Sequence, residues 1–131
     1  MISADTGTDA GNISAVMASL NSVSFRPERP FKLVTGGDEH SIKVFDGPPY
    51  KFSRSNNSHT NFINQIKYNK EGKYFVSVSS DKKLVLYDGL SCDVVKEVSN
   101  AHEGSIYGLA WINNETIVTV SSDKYVKYWN T

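Results

Sequence analysis

One cysteine, four prolines, no surplus of charge of either sign and no long apolar run: the sequence is defined first by its shortages, and each of them excludes a class of protein. Cys92 has no second thiol within the 131 residues, and Ser91 and Asp93 beside it give no zinc-ligand spacing. It reads as an inert loop residue, and its isolation fits a reducing, cytoplasmic setting. Fourteen Lys and Arg balance fourteen Asp and Glu. That balance lacks the basic excess that draws a chain to phosphate backbones or anionic lipid, so neither nucleic acid nor membrane is an expected partner. The first twenty residues offer neither a basic segment nor a sustained apolar stretch, and no later run nears transmembrane length. With 39% hydrophobic and 21% charged residues, the expectation is one modest, soluble globular domain over residues 1–131.

What the chain does contain is self-similarity. Val23-Ser24-Phe25 matches Ile66-Lys67-Tyr68 and Leu109-Ala110-Trp111, a period of 42 to 43 residues. Leu33-Val34-Thr35 matches Phe75-Val76-Ser77 and Ile117-Val118-Thr119, and Ile42 to Phe45 matches Leu84 to Tyr87 and Val126 to Trp129. These short β-branched and aromatic runs, separated by Pro, Asn, Gly and acidic turn formers, predict antiparallel meanders. Weaker runs at Ile13 to Leu20, Tyr50 to Ser53 and Val94 to Val98 suit outer strands with one edge in solvent. Alternation along the strands predicts a core of Val23, Phe25, Leu33, Val44, Ile66, Tyr68, Val76, Leu86, Leu109, Trp111, Val118 and Val120.

A period of this length, with an aromatic followed by Asp at the end of the third strand, resembles the WD repeat. Phe45-Asp46, Tyr87-Asp88 and Trp129-Asn130 hold the defining dipeptide, and an acid stands six residues before each aromatic: Glu39, Asp81 and Asp123. His59 and His102, 43 apart, hold the usual histidine. The expected fold class is therefore all-β, a partial and open WD-repeat β-propeller with repeats at about 12–46, 50–88 and 93–130. His59, Ser79 and Asp81, then His102, Ser121 and Asp123, contain the residue types of a nucleophilic triad, which leaves a hydrolase as one reading. A set that recurs once per repeat fits a fold better than an active site, so the same residues with Trp129 are expected to form a structural hydrogen-bond network, and no enzyme is expected. The first repeat departs from the pattern, with Gly37, Glu39, Phe45 and Val16 where serine, aspartate, tryptophan and histidine belong.

Finer likeness lies in Asn21 to Phe31, with its Arg26-Pro27-Glu28-Arg29-Pro30-Phe31 turn, and in Phe45-Asp46-Gly47-Pro48-Pro49-Tyr50-Lys51-Phe52. Together with Asp5 to Thr8, Leu86 to Gly89 and Ala101 to Leu109, these stretches closely resemble the first propeller of the actin-interacting protein 1 family. Tyr50 stands where that family usually has Phe, and Glu39-His40-Ser41 replaces a more usual Asp-Asn-Thr turn. Since the family has two complete propellers, three repeats are expected to be a piece of a longer protein. The resemblance implies actin filaments and cofilin as partners, promotion of filament disassembly, a cytoplasmic and cytoskeletal location, and no cofactor, nucleotide or metal. It directs attention to Asp38, in the turn between second and third strands, and Phe52, with Glu39 and Tyr50 beside them. Asp38 and Phe52 also read as a turn cap and a packed outer-strand residue. A generic WD-repeat scaffold with another partner is the alternative function. Three blades alone leave open sheet faces, which favours association with another chain.

Overall fold

A computed structural model describes residues 20–37, 40–47 and 51–131, and these form three antiparallel sheets without a helix. The run Ile13 to Leu20 lies outside the described residues, Leu20 excepted. The first sheet holds β1 (Leu20–Phe25), β2 (Lys32–Gly37), β3 (Ile42–Asp46) and β4 (Lys51–Asn56) in sequence order. The second repeats it with β5 (Ile63–Tyr68), β6 (Tyr74–Ser79), β7 (Leu84–Asp88) and β8 (Val94–Val98). The third contains β9 (Ile106–Trp111), β10 (Thr116–Ser121) and β11 (Val126–Asn130). Three meanders that do not close on one another are the blades of a partial, open propeller. Each expected strand centre, from Val23 to Lys127, falls inside a strand.

The turn between second and third strands is built alike in every blade. His40, Lys82 and Lys124 all take a left-handed backbone with φ of 68°, 70° and 71°. The amide of each closes the turn onto the carbonyl three residues earlier, at Gly37, Ser79 and Ser121. A bulge also recurs where first and second strands pair, at Leu20/Ser22, Ile63/Gln65 and Val120/Ser121, adding local twist.

Successive blades pack face on face. The first seam joins Val34, Ile42 and Val44 of blade one to Ile63, Ile66, Tyr68, Phe75, Val85 and Tyr87 of blade two, all buried. The second joins Val76, Val78, Leu84 and Leu86 to Ala101, Ile106, Leu109 and Ile117. Each blade therefore has a forward face, carried by the even residues of β2 and β6, and a rear face, carried by the odd ones. At Gly36 the first seam is tight: a Cβ there would stand 2.6 Å from Ile63 Cγ2, so only glycine fits.

Polar side chains stitch the inner strands across both seams. Asn21 Nδ2 donates to the Ile63 carbonyl at 3.1 Å, and Asn64 Nδ2 donates to the Ile106 carbonyl at 2.8 Å. Ser22 and Ser24 accept from the amides of Ile66 and Tyr68, as Gln65 does from Leu109. The Arg-Pro-Glu-Arg-Pro turn adds a latch at the other end. The Arg26 side chain is buried, and its Nε donates to the Gly72 carbonyl at 3.0 Å while Nη1 holds its own turn through the carbonyls of Glu28 and Pro30.

Burial corrects part of the expected core. Leu33, Val44, Ile66, Tyr68, Val76, Leu86 and Leu109 are inside. Val23, Phe25 and Val120 are exposed, and Trp111 and Val118 are half-buried. In β10 the covered face carries Ile117 and Thr119, the opposite parity to the expected Val118 and Val120, while Val23 and Phe25 stand on the rear face of blade one. Ile66 and Val23 occupy the same place in successive repeats, one covered and the other not. Replacing Ile66 by Ala should cost about 2–5 kcal/mol in chemical denaturation, through lost burial and a cavity. Val23→Ala should stay within about 0.5 kcal/mol, as for an exposed site, and equal costs at the two positions would show that seam packing is not what stabilises the blades.

Candidate functional site

The repeated polar residues form a hydrogen-bonded chain inside each of the last two blades. In blade three, Trp129 Nε1 lies 2.9 Å from Thr119 Oγ1, Thr119 Oγ1 lies 2.7 Å from His102 Nε2, and His102 Nδ1 lies 2.9 Å from Asp123 Oδ2. An indole N–H can only donate, so the direction of the chain is fixed. Trp129 donates to Thr119, the threonine hydroxyl pairs with His102 Nε2, and His102 Nδ1–H donates to the carboxylate. Asp123 in turn accepts from the amides of Glu103 and Tyr125, tying the loop before β9 to the turn after β10.

Blade two repeats this chain with tyrosine in place of tryptophan. Tyr87 Oη is 3.2 Å from Ser77 Oγ, Ser77 Oγ is 2.6 Å from His59 Nε2, and His59 Nδ1 is 2.9 Å from Asp81 Oδ2. Burial holds the His59 pKa below its ordinary value against the pull of the Asp81 carboxylate, which keeps the imidazole neutral. Burial acts to raise the Asp81 carboxyl, but the amides of Thr60 and Lys83 and the His59 ring outweigh it and hold it below the ordinary range. The Tyr87 phenol is pushed up to about 12 by burial and stays protonated.

Ser79 and Ser121 do not touch the histidines, contrary to expectation. The Ser79 hydroxyl donates to the Phe62 carbonyl at 2.7 Å and accepts from the Asp81 amide at 3.2 Å. Ser121 does the same with the Ser105 carbonyl and the Asp123 amide. They brace the turn, while Ser77 and Thr119, two residues earlier on the same strand face, complete the chain. The signal for these was present, since Thr35, Ser77 and Thr119 align in the repeat.

Blade one keeps the hydroxyl and loses its partners. Thr35 Oγ1 is buried with no hydrogen-bond partner among the described residues, and the buried Phe45 beside its strand offers no polar atom. Val16, at the histidine position, lies outside the described residues. Blade one instead presents aromatics outward. Phe52 on β4 is 58% exposed, meets Phe45 edge-on at 5.9 Å and has Lys43 Nζ 5.9 Å from its ring centre. Phe62, not singled out from the sequence, is exposed in the loop before β5 and lies 5.8 Å from the His40 ring at the end of the blade-one turn. Asp38, Glu39 and Tyr50 lie outside the described residues.

Two chains of donors ending on a buried carboxylate, each joining loop, turn and central strand of one blade, are fold-defining features. The WD domain, G-beta repeat, matches residues 11–46, 50–88 and 94–130. The chain belongs to the WD domain, G-beta repeat family. It is 44% identical over 127 residues, 95% of its length, to actin-interacting protein 1 of Drosophila melanogaster. It is 39% identical over 113 residues to actin-interacting protein 1 of Caenorhabditis elegans, covering 80% of this chain. It is 34% identical over 129 residues to WD repeat-containing protein 1 of Rattus norvegicus, covering 96% of it. The chain spans about a fifth of the length of these relatives, 21%, 18% and 21% respectively.

In this WD-repeat chain the central hydroxyl decides the worth of each network. Thr119→Val removes the acceptor of Trp129 and the donor to His102, and should lower stability by about 1–3 kcal/mol. Thr35→Val removes a buried hydroxyl that bonds nothing among the described residues and should leave stability unchanged or raise it. A loss at position 35 as large as that at position 119, measured by denaturant midpoint, would refute the assignment.

Proposed function

We propose that these repeats belong to a cytoplasmic WD-repeat protein that binds actin filaments together with cofilin and promotes their disassembly, with blade one as the contact surface. The observation that carries this reading is the exposed Phe52 on a blade stripped of its polar network, in a chain similar along most of its length to proteins named for actin interaction. An exposed ring on a rigid strand supplies contact area at little entropic cost, and Lys43 beside it keeps the ring oriented. Asp38 and Glu39 precede His40 in the turn against which Phe62 leans, and acids there steer the blade toward a basic patch. Tyr50, two residues before Phe52 in the sequence, adds a second aromatic to that stretch.

Cosedimentation with cofilin-decorated filaments tests this in the longer polypeptide that carries these repeats. Phe52→Ala should weaken cofilin-dependent pelleting roughly tenfold, the loss of about 1.4 kcal/mol expected for an anchoring aromatic. Leu90→Ala, an exposed apolar residue in the blade-two loop after β7, should leave it unchanged. Unaltered pelleting of Phe52→Ala would remove the contact site. Failure of the unaltered protein to pellet with decorated filaments would favour a WD-repeat scaffold for another partner.

A further inference from the structure

The buried hydrogen-bond chains of blades two and three hold different numbers of protons. In blade two the chain runs on past the tyrosine to the outer strand β4 of blade one. The Tyr87 phenol also bonds the Ser58 hydroxyl, and Ser58 Oγ lies 2.6 Å from Asn56 Oδ1. From Asn56 to Asp81 the chain therefore has five links, through Ser58, Tyr87, Ser77 and His59. Both of its ends, an amide oxygen and a carboxylate, only accept. Three hydroxyls and the single N–H of a neutral His59 ring supply four protons, so one link is empty. In blade three, Trp129, Thr119 and His102 reach Asp123 through three links, and the indole N–H, one hydroxyl and one ring N–H fill them all. Its outer end is an indole, which cannot accept.

We propose that His59 is a proton-accepting site that blade two has and blade three lacks. A proton from solvent adds to the ring so that both nitrogens donate, Nδ1–H to Asp81 and Nε2–H to Ser77. The Ser77 hydroxyl then turns to Tyr87, the Tyr87 hydroxyl turns to Ser58, and Ser58 keeps its bond to Asn56. Each hydroxyl rotates about its own C–O bond, no heavy atom moves, and the empty link is filled. A fifth proton thus completes the network instead of breaking it. In blade three a reversed Thr119 hydroxyl would meet the indole N–H and find no acceptor. The charge created in blade two is an imidazolium 2.9 Å from the Asp81 carboxylate, which the amides of Thr60 and Lys83 help to keep ionised. The other charges facing the ring are Lys83, which opposes the proton, and Glu97, which favours it, and these two side chains pair with each other at 2.5 Å. Burial sets the titration of the ring below the ordinary histidine value of 6.5, so the site is empty at neutral pH and fills on acidification. This inference rests on the network alone and is independent of the actin reading.

Nuclear magnetic resonance of isotope-labelled histidine in the polypeptide that carries these repeats, titrated downward from about pH 8, tests this. The His59 ring signal, assigned by its loss in His59→Gln, should titrate reversibly while circular dichroism shows unchanged strand content. Tyr87→Phe removes the hydroxyl on which the reversal turns and changes no charge near the ring. It should lower the His59 midpoint by about one pH unit, the effect of leaving one buried donor unpaired in the protonated state. Ser58→Ala removes the acceptor of the reversed phenol by a small change at a half-buried site, and should lower the midpoint in the same direction. Hydroxyls with a purely structural role would alter the stability of these variants and leave the midpoint in place. An unchanged midpoint in either folded variant would overturn the inference, as would a ring that takes up its proton only as the strands unfold.

Discussion

The apolar seam between consecutive blades is the constraint from which the rest of this structure follows. A meander of four short strands has two faces, and a sheet this small buries enough apolar surface only when both are covered. Blade two meets that condition on each side, so every residue of β6 after Tyr74 is buried. Blade three meets it on one side, and blade one is covered along β2, where every residue after Lys32 is buried, while Val23 and Phe25 on β1 are exposed. The positions of Val34 and Val44 against Ile66, or Val76 and Leu86 against Leu109, are therefore dictated by the neighbour as much as by the strand that bears them. The side-chain stitches along the inner strands then set the register in which neighbours meet.

Within a blade, the buried donor chain does a separate job. It ties the loop entering the first strand and the turn after the second to the aromatic at the end of the third, through one imidazole. The carboxylate tolerates burial because two amides and the imidazole satisfy it. Blade one shows what remains without this device: an orphaned Thr35 hydroxyl and a Phe45 held by packing. Its outer strand carries the exposed ring of Phe52, and Phe62 of the loop before β5 lies against its turn at His40.

Strand positions and repeat spacing were legible in the sequence because alternation and turn chemistry are local properties. Which face would be covered was not, since Val23 and Ile66 are alike in sequence and differ only in whether a blade lies against them. The choice between Ser77 and Ser79 was not decided by the sequence, since a hydroxyl recurs at both positions in the last two repeats. Both point to one face of β6, about 7 Å apart along the strand, and only the position of the His59 ring in space selects between them. Phe62 escaped notice because an isolated aromatic before a strand ordinarily reads as core, whereas its loop holds it against His40 at the surface. Asp38, Glu39 and Tyr50 were singled out through family resemblance, which is a different kind of warrant from geometry.

Native-state hydrogen exchange of the backbone amides, resolved by strand, tests the central role of the seams most directly. If face-on-face packing governs stability, the amides of β5, β6 and β7 exchange slowest, and protection falls in both directions toward β1 and β11. Equal protection in all three blades, or a maximum in blade one or blade three, would contradict the account.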